Sequence, residues 1–396
     1  MIGSGRSRAV HFGWVSLFQD LGSKMVVPVL PLFLVVSLGA SPLVVGLVEG
    51  AGAVAAALAA TVIGRRVADR AVWWVRVGYG LSSIAKLALA VASAWPTVLC
   101  IRIADRAGKG IRDAPRDLLL AETPADRRGR AFGIQQAMDK TGGVLGPLVG
   151  LVVFQAFDES FDAVFVMAFV PCAISVLLLW AIPTAPEPRK EAPSAIPSGR
   201  RGTTETDDAA GSDTAATARQ RRALVAVGLH SLGFVPISLL LLRALDVEAS
   251  VTAVLLAFAA LRAVTAVTSP IAGRLVDGIG PQPVVVGGMA IGAASIVLAA
   301  LADTPVVVWS ALVGVGLTEA ATKAPVKAWL LTLGPVATAG PVLGDRSAIA
   351  GIATFASALA VGAAWGDDGR AALLVAGGVA AAGAVCAGSV RRVGHL

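Results

Sequence analysis

Apolar runs of membrane-spanning length constrain this chain more than any other feature. A helix needs about 20 apolar residues to cross the hydrocarbon of a bilayer. Twelve such runs follow one another, over residues 10–36, 42–63, 72–94, 97–119, 131–156 and 162–183, then 222–243, 249–272, 283–302, 305–330, 345–365 and 370–390. Charged residues are only 15 % of the sequence and mean hydropathy is +0.77, whereas an average soluble domain is about 25 % charged. The pattern predicts an all-α integral membrane protein with twelve transmembrane helices in two pseudo-symmetric six-helix bundles. The run at 97–119 is the exception in quality, because residues 102–117 hold eight charges. Hydropathy alone rejects it.

Arginine placement argues for keeping it. Cytoplasmic loops are enriched in Lys and Arg. Arg6 and Arg8 precede span one, Arg65, Arg66 and Arg70 follow span two, and Arg127, Arg128 and Arg130 follow span four. Arg221 and Arg222 precede span seven, Arg274 follows span eight, and Arg391 and Arg392 follow span twelve. All of these clusters fall on one side only if 97–119 crosses the membrane, and both termini are then cytoplasmic. The segment after Arg8 is long and is interrupted by Asp20 and Lys24, so it reads as a first span rather than a cleavable signal core.

Residues 184–221 differ from all others, being rich in Pro, Ser, Thr, Gly and charge with almost no large apolar side chain. Such a segment cannot bury enough surface to fold alone. It is expected to be a disordered cytoplasmic linker between an N-terminal bundle, 1–183, and a C-terminal bundle, 222–396. The two halves resemble each other. Span two ends in Gly64-Arg-Arg-Val-Ala-Asp69-Arg70 and span eight in Gly273-Arg-Leu-Val-Asp277. Span four carries Arg112-Asp113-Ala114-Pro115-Arg116, and span ten Lys323-Ala324-Pro325-Val326-Lys327. Internal duplication of this kind is a mark of secondary carriers, whose binding site lies between the repeats.

Several function classes are set aside by what the chain lacks. Cys100, Cys172 and Cys386 show no CxxC or metal spacing, and read as small buried hydrophobes. No HExxH or GxSxG occurs, and Gly108-Lys109-Gly110 lacks the rest of a P-loop, so neither an embedded enzyme nor ATP coupling is expected. No cofactor is implied beyond a proton gradient as energy source. The basic balance, +7 overall, comes in short clusters between apolar runs and does not make a nucleic-acid footprint.

Charge inside the spans carries the functional reading. Each such group costs about 2.5–3.5 kcal/mol to insert, so it should face a wet cavity or a partner. Arg102, Arg106, Lys109 and Arg116 form one helical stripe on span four, with Asp105, Arg112 and Asp113 beside it. The stripe can bind cargo, pair structurally, or divide between the two. Asp20 and Lys24 lie four apart on span one and can pair. Glu49, Lys86, Asp139, Lys140, Arg262, Glu319, Lys323 and Lys327 are further intramembrane charges, and His230 is the polar group of span seven. The spans sum to a net basic interior, which favours an anionic or zwitterionic cargo over a simple cation. Burial favours the neutral form of a carboxylate and a nearby cation its charged form, so Asp20 beside Lys24, with Glu49 and Asp139 in reserve, is the expected proton carrier. Arg112, Arg116, Lys109, Glu319, Lys323, Lys327 and His230 are the expected cargo ligands, with Arg112 opposite Lys323 and Arg116 level with Lys327.

Gly142-x-x-x-Gly146-Pro147-x-x-Gly150 in span five, Gly273-x-x-x-Asp277, Asp69-Arg70 and the run Arg102-x-x-Asp105-Arg106-x-Gly108-Lys109-Gly110-x-Arg112-x-x-Pro115-Arg116-Asp117 together resemble the major facilitator superfamily. The last run is similar to a bacterial efflux-permease-like subgroup. The likeness covers nearly the whole chain apart from the linker. In the first-half loop motif Gly64 stands five residues before Asp69 rather than four. The resemblance implies a monomeric, alternating-access secondary transporter in a bacterial cytoplasmic membrane, with protons and a small molecule as partners. It also implies that the first and fourth helices of each half line a central cavity. The span-five motif is similar to one associated with antiporters and so with export. Uptake of an organic anion by symport or exchange stays open. Asp69, Arg70, Arg102, Asp105, Arg106, Gly142, Gly146, Pro147, Gly150, Gly273 and Asp277 are the implied gating and structural positions.

The topology is tested by single cysteines at Ala195 and Ala125 in a variant without the native cysteines. Both should react with a membrane-impermeant thiol reagent only after the cells are opened. Labelling of either in intact cells contradicts the assigned sidedness.

Overall fold

The computed structural model describes residues 4–64, 70–121, 125–180, 208–334 and 339–390. Among these there is no strand. The first bundle comprises α1 (Ser4–Leu32), α2 (Pro42–Gly64), α3 (Ala71–Leu89), α4 (Trp95–Ala121), α5 (Ala125–Ala156) and α6 (Phe161–Trp180). The second comprises α7 (Asp208–Gly233), α8 (Ile237–Asp246), α9 (Val251–Ile279), α10 (Pro281–Ala300), α11 (Pro305–Thr322), α12 (Pro325–Thr332), α13 (Ala339–Ala363) and α14 (Arg370–Ser389). The pairs α7–α8 and α11–α12 each make one broken span, which gives six spans per bundle.

Ten spans among the described residues are long and apolar enough to cross a bilayer. The two that are not are α3, with Arg76 and Lys86, and α4, with its eight charges. Both pack as full-length helices within the first bundle. The breaks have local causes. Pro236 and Pro325 lack the N–H that a continuous helix needs, and they begin α8 and α12. In α4 the equivalent Pro115 leaves the helix unbroken, so the two Ala-Pro repeats are not structurally equivalent. Pro28 and Pro31 of α1 precede a π-helical turn, Phe33–Ser37. Between α9 and α10, Gly280 adopts φ 85° and Pro281 starts the next helix.

The linker boundary needs correction. Helix α7 starts at Asp208, so residues 208–221, assigned from composition to a disordered segment, are helical. The alanines at 209, 210, 215, 216 and 218 explain it, since Ala favours helix without any apolar face to bury. Residues 184–207 lie outside the described residues.

Glycine sets the closest helix approaches, because a backbone without Cβ lets another backbone come near. On α5, a Cβ at Gly142 would strike the Leu17 carbonyl oxygen of α1. At Gly146 it would lie 2.6 Å from the Leu21 oxygen and 2.7 Å from Lys24 Cβ, and at Gly150 3.3 Å from Met25 Cα. The two bundles meet along α2–α13 and α5–α9, and Gly46 and Gly50 of α2 fit against Ala358 and Phe355 of α13. One buried apolar cluster joins the bundles at one end. It takes Met25, Val26 and Val29 from α1, Leu239–Leu242 from α8, Val254 and Phe258 from α9, and Leu312 from α11. At the opposite end the bundles part.

Gly146→Val should therefore lower stability by about 1–3 kcal/mol through overpacking, read as a fall in the melting midpoint of purified protein. Gly143→Val, where an added Cβ has no neighbour within 4 Å, should leave the midpoint within about a degree. Equal effects of the two would refute the assigned α1–α5 seam.

Candidate functional site

Where the bundles part, five spans enclose a cavity of about 450 Å³. Helix α1 contributes Asp20 and Lys24, α4 Lys109, and α5 Gln136, Asp139 and Lys140. From the second bundle α9 contributes Arg262, Thr265, Ser269, Gly273 and Asp277, and the α11–α12 span Glu319, Lys323, Pro325 and Ala328. Among the described residues the wall thus holds five cations and four carboxylates, close to electrical balance. Its apolar members among the described residues are Gly, Ala, Val and Pro, with no aromatic side chain.

The two faces of the cavity differ in how their charge is held. On the second bundle Glu319 is taken from both sides. Arg262 forks onto it, Nη1 to Oε2 at 3.0 Å and Nη2 to Oε1 at 3.4 Å, and Lys323 Nζ reaches Oε2 at 3.0 Å. The Arg262 guanidinium also lies 5.0 Å from the Phe258 ring centroid, which places this cluster directly on the apolar seal. On the first bundle Asp20, Lys24, Lys109 and Asp139 make no ion pair within 4.0 Å among the described residues. The expected Asp20–Lys24 pair is therefore not formed. The Lys24 stem is held in the seam against Gly146, while both side chains open onto the cavity.

Half of the span-four stripe pairs inside its own bundle. Arg102 Nη2 donates to Glu49 Oε1 at 2.7 Å, and Arg106 lies 3.7 Å from Glu49 Oε2. Asp105 accepts from Lys86 at 2.5 Å and from Arg102 at 3.4 Å, and Ser82 donates to the Asp105 carbonyl. Lys86 and Arg102 are each 2 % exposed. Glu49, Arg102, Asp105 and Arg106 thus tie α2, α3 and α4 together, and none of them lines the cavity.

Other expected ligands fall elsewhere. Arg112 is buried with its guanidinium 4.4 Å from the Tyr79 ring centroid, a contact worth about 2 kcal/mol where it is desolvated. It faces α3 and not Lys323. Arg116 pairs with Asp113 and Asp117 along α4. Lys327 is exposed outside the cavity. The proposed facing of Arg112 with Lys323 and Arg116 with Lys327 fails because α4 is continuous where its counterpart breaks at Pro325. His230 is a packing residue, buried against Phe234 and near the Ala380 carbonyl, with Gly292 and Gly383 making room for it. Among the implied gate positions, Gly273 and Asp277 lie on the cavity wall near the end of α9, Arg70 is exposed before α3, and Asp69 lies outside the described residues. Gly142, Gly146 and Gly150 form the α1 seam, with Pro147 inside α5.

Arg262 and Lys140 join the site although neither was among the expected ligands. Arg262 had a sequence signal, a lone Arg in the middle of an apolar run. The same signal marked Arg243, which is 1 % exposed and clamps the carbonyls of Ala299, Ala302 and Asp368 at the closed end.

Two six-helix bundles sealed at one end and parted around a charged cavity at the other are the architecture of a membrane transporter. The Major Facilitator Superfamily matches residues 12–229, more than half of the chain, and the chain belongs to that superfamily. An uncharacterized MFS-type transporter of Methanocaldococcus jannaschii is 32 % identical over 179 residues, and an uncharacterized protein of Mycobacterium tuberculosis 33 % over 185. The matched stretches span 44 % and 45 % of this chain, and 44 % of the length of each relative. In fold the chain is similar to a bacterial homolog of the human lysosomal transporter Spinster, inward-facing and unoccupied, with TM-score 0.71 at 16 % identity over 98 % of this chain and 96 % of that one. It is also similar to a mutant of the nucleoside transporter NupG, with TM-score 0.74 at 13 % identity over 97 % and 100 %. The chain has the fold of the transporters of this superfamily.

Lys86→Met should cost about 3–5 kcal/mol, because it breaks a buried pair and leaves Asp105 with only its longer contact to Arg102. The double variant Lys86→Met/Asp105→Leu should recover most of that loss. A melting midpoint for Lys86→Met equal to wild type would show that the network is not structural.

Proposed function

We propose that the protein is a proton-coupled antiporter that exports a small hydrophilic molecule carrying both charges, a zwitterion, by alternating access. The observation that carries this reading is the pair of carboxylates, Asp20 and Asp139, on one wall of the cavity without ion-pair partners among the described residues. The same wall bears the unpaired cations Lys24 and Lys109. A cargo ammonium at the carboxylates and a cargo carboxylate at the lysines satisfy both sets. A proton and that ammonium compete for the same oxygens, so one must leave when the other arrives, which is the condition for antiport. The balanced wall also favours a zwitterion over a plain organic anion. Small side chains without an aromatic ring suit a polar cargo better than a flat lipophilic one.

Coupling follows from the second face. Glu319 with Arg262 and Lys323 presents a fixed, net positive cluster above the apolar seal. Protonating Asp20 and Asp139 raises the positive charge across the cavity and opposes closure of the two bundles. A bound zwitterion bridges them instead. Ligands that differ in affinity for the open and closed states shift the populations, and rocking of one bundle on the other then changes the side to which the site opens. In this reading the cavity faces the cytoplasm, the chain acts as a monomer in a bacterial cytoplasmic membrane, and Asp20 is the main proton carrier.

The test uses proteoliposomes loaded with a pH dye, acidic inside, challenged with a panel of amino acids and dipeptides. At least one zwitterion should drive proton efflux in wild-type vesicles. Asp20→Asn should lose that flux at least tenfold while keeping exchange of labelled cargo for unlabelled. Unchanged proton flux in Asp20→Asn dismisses this carrier, and a panel in which only monoanions move protons dismisses the zwitterion.

A further inference from the structure

Behind the wall that carries Asp20 and Lys24, the first bundle holds more positive charge than its own carboxylates neutralise. There α1, α3 and α4 enclose a second, smaller crevice of about 20 Å³. Six cations face it, Lys24, Lys86, Arg102, Arg106, Lys109 and Arg112, against the carboxylates of Asp20 and Asp105. Asp105 is already shared by Lys86 and Arg102. Glu49, outside the crevice, is shared by Arg102 and Arg106. Asp113 stands 3.7 Å from Arg112 Nε without a hydrogen bond.

Three arginine N–H groups of α4 have no acceptor among the described residues. Nε and Nη1 of Arg112, and Nε of Arg102, are buried and have no hydrogen-bond acceptor. The two residues are 4 % and 2 % exposed. Guanidinium is donor-only, so an acceptor in the crevice can satisfy the Arg112 groups, which line it. A buried donor left without one is costly, and more so when it is charged.

We propose that the crevice is a binding site for a monatomic anion, chloride under ordinary conditions, held by Arg112 with Lys24 and Lys109 beside it. The volume decides the class of guest. About 20 Å³ admits one water-sized or halide-sized particle, and neither a carboxylate nor a phosphate. A water molecule satisfies the N–H groups but leaves the charge surplus in place, whereas a halide answers both. The site is distinct from the cargo site, yet Asp20, Lys24 and Lys109 border both. An anion in the crevice therefore draws the two lysines back from the cavity and sets how strongly they hold a cargo carboxylate. The proposal does not depend on the direction of transport or on proton coupling.

The experiment measures the melting midpoint of purified wild-type protein while chloride replaces gluconate at constant ionic strength, with bromide and acetate as parallel arms. Crystals soaked in bromide are examined for anomalous scattering. The midpoint should rise saturably with chloride and bromide, and not with acetate. An anomalous peak should lie beside the Arg112 guanidinium. Arg112→Gln should raise the half-saturating chloride concentration at least tenfold. Equal midpoints in chloride and gluconate for the wild type, or density there without anomalous signal, would overturn the site. Stabilisation by acetate equal to that by chloride would overturn its monatomic character and assign the crevice to the end of a cargo carboxylate. If Arg112→Gln does not fold, the wild-type titration and the bromide peak decide the question.

Discussion

A charge cannot rest unpaired in hydrocarbon, and most of this architecture follows from where its charges are allowed to go. Each intramembrane ion must find a partner or water. Helix α4 carries too many to face lipid, so it is drawn in between α2 and α3. Its first turns find Glu49 of α2 and Lys86 of α3, and its middle reaches the cavity through Lys109. The cavity itself exists where both bundles present charge that their own helices do not neutralise. The seal exists at the other end, where α1, α8 and α9 present mainly apolar side chains and the Arg243 guanidinium is spent on backbone carbonyls.

The second constraint is the backbone distance that glycine permits. The Gly142–Gly146–Gly150 face brings α5 against α1 along the length that bears Asp20 and Lys24. A bulkier seam would push α1 away from α5 and widen the wall that carries the two unpaired carboxylates. The motif therefore acts on the site through packing, without contributing a ligand of its own. The α2–α13 contact works differently. Gly46 and Gly50 join the two bundles there, and a flat, small-residue contact is one on which a rigid bundle can pivot.

Fold and site were unequally legible in the sequence. Apolar runs fixed the spans, and one-sided arginines rescued α4, which hydropathy rejects. The presence of Asp20, Lys24, Lys109, Asp139, Glu319 and Lys323 around one cavity also followed from charge at membrane depth. What sequence could not show is which charges neutralise each other across helices. The Glu49–Arg102 and Lys86–Asp105 pairs depend on the approach of α2, α3 and α4, which no spacing along one helix encodes. Arg112 and Arg116 were misplaced for a related reason. Matching Ala-Pro pairs implied matching geometry, but Pro115 sits inside a continuous helix while Pro325 starts a new one. Composition likewise failed at Asp208–Arg221, where alanine makes helix out of a segment with nothing to bury.

The two halves answer the same electrostatic problem with opposite signs, and the proposed function uses that asymmetry. In the first bundle an acid on the second span, Glu49, meets a base on the fourth, Arg102. In the second bundle a base on the second span, Arg262, meets an acid on the fourth, Glu319. Both pairs join equivalent helices, but only the second lines the cavity, where Lys323 adds a further charge to it. Exchange of acid and base between the repeats lets one bundle hide its pair as a strut while the other presents its pair to the cargo. In the proposed antiport the first bundle uses the carboxylates on α1 and α5, which have no ion-pair partner among the described residues, to exchange protons, and the second keeps a fixed cationic face against which that exchange is felt. A symmetric placement would either neutralise both walls or leave two like-charged walls repelling each other, and neither arrangement gives two states close enough in energy for a ligand to choose between them.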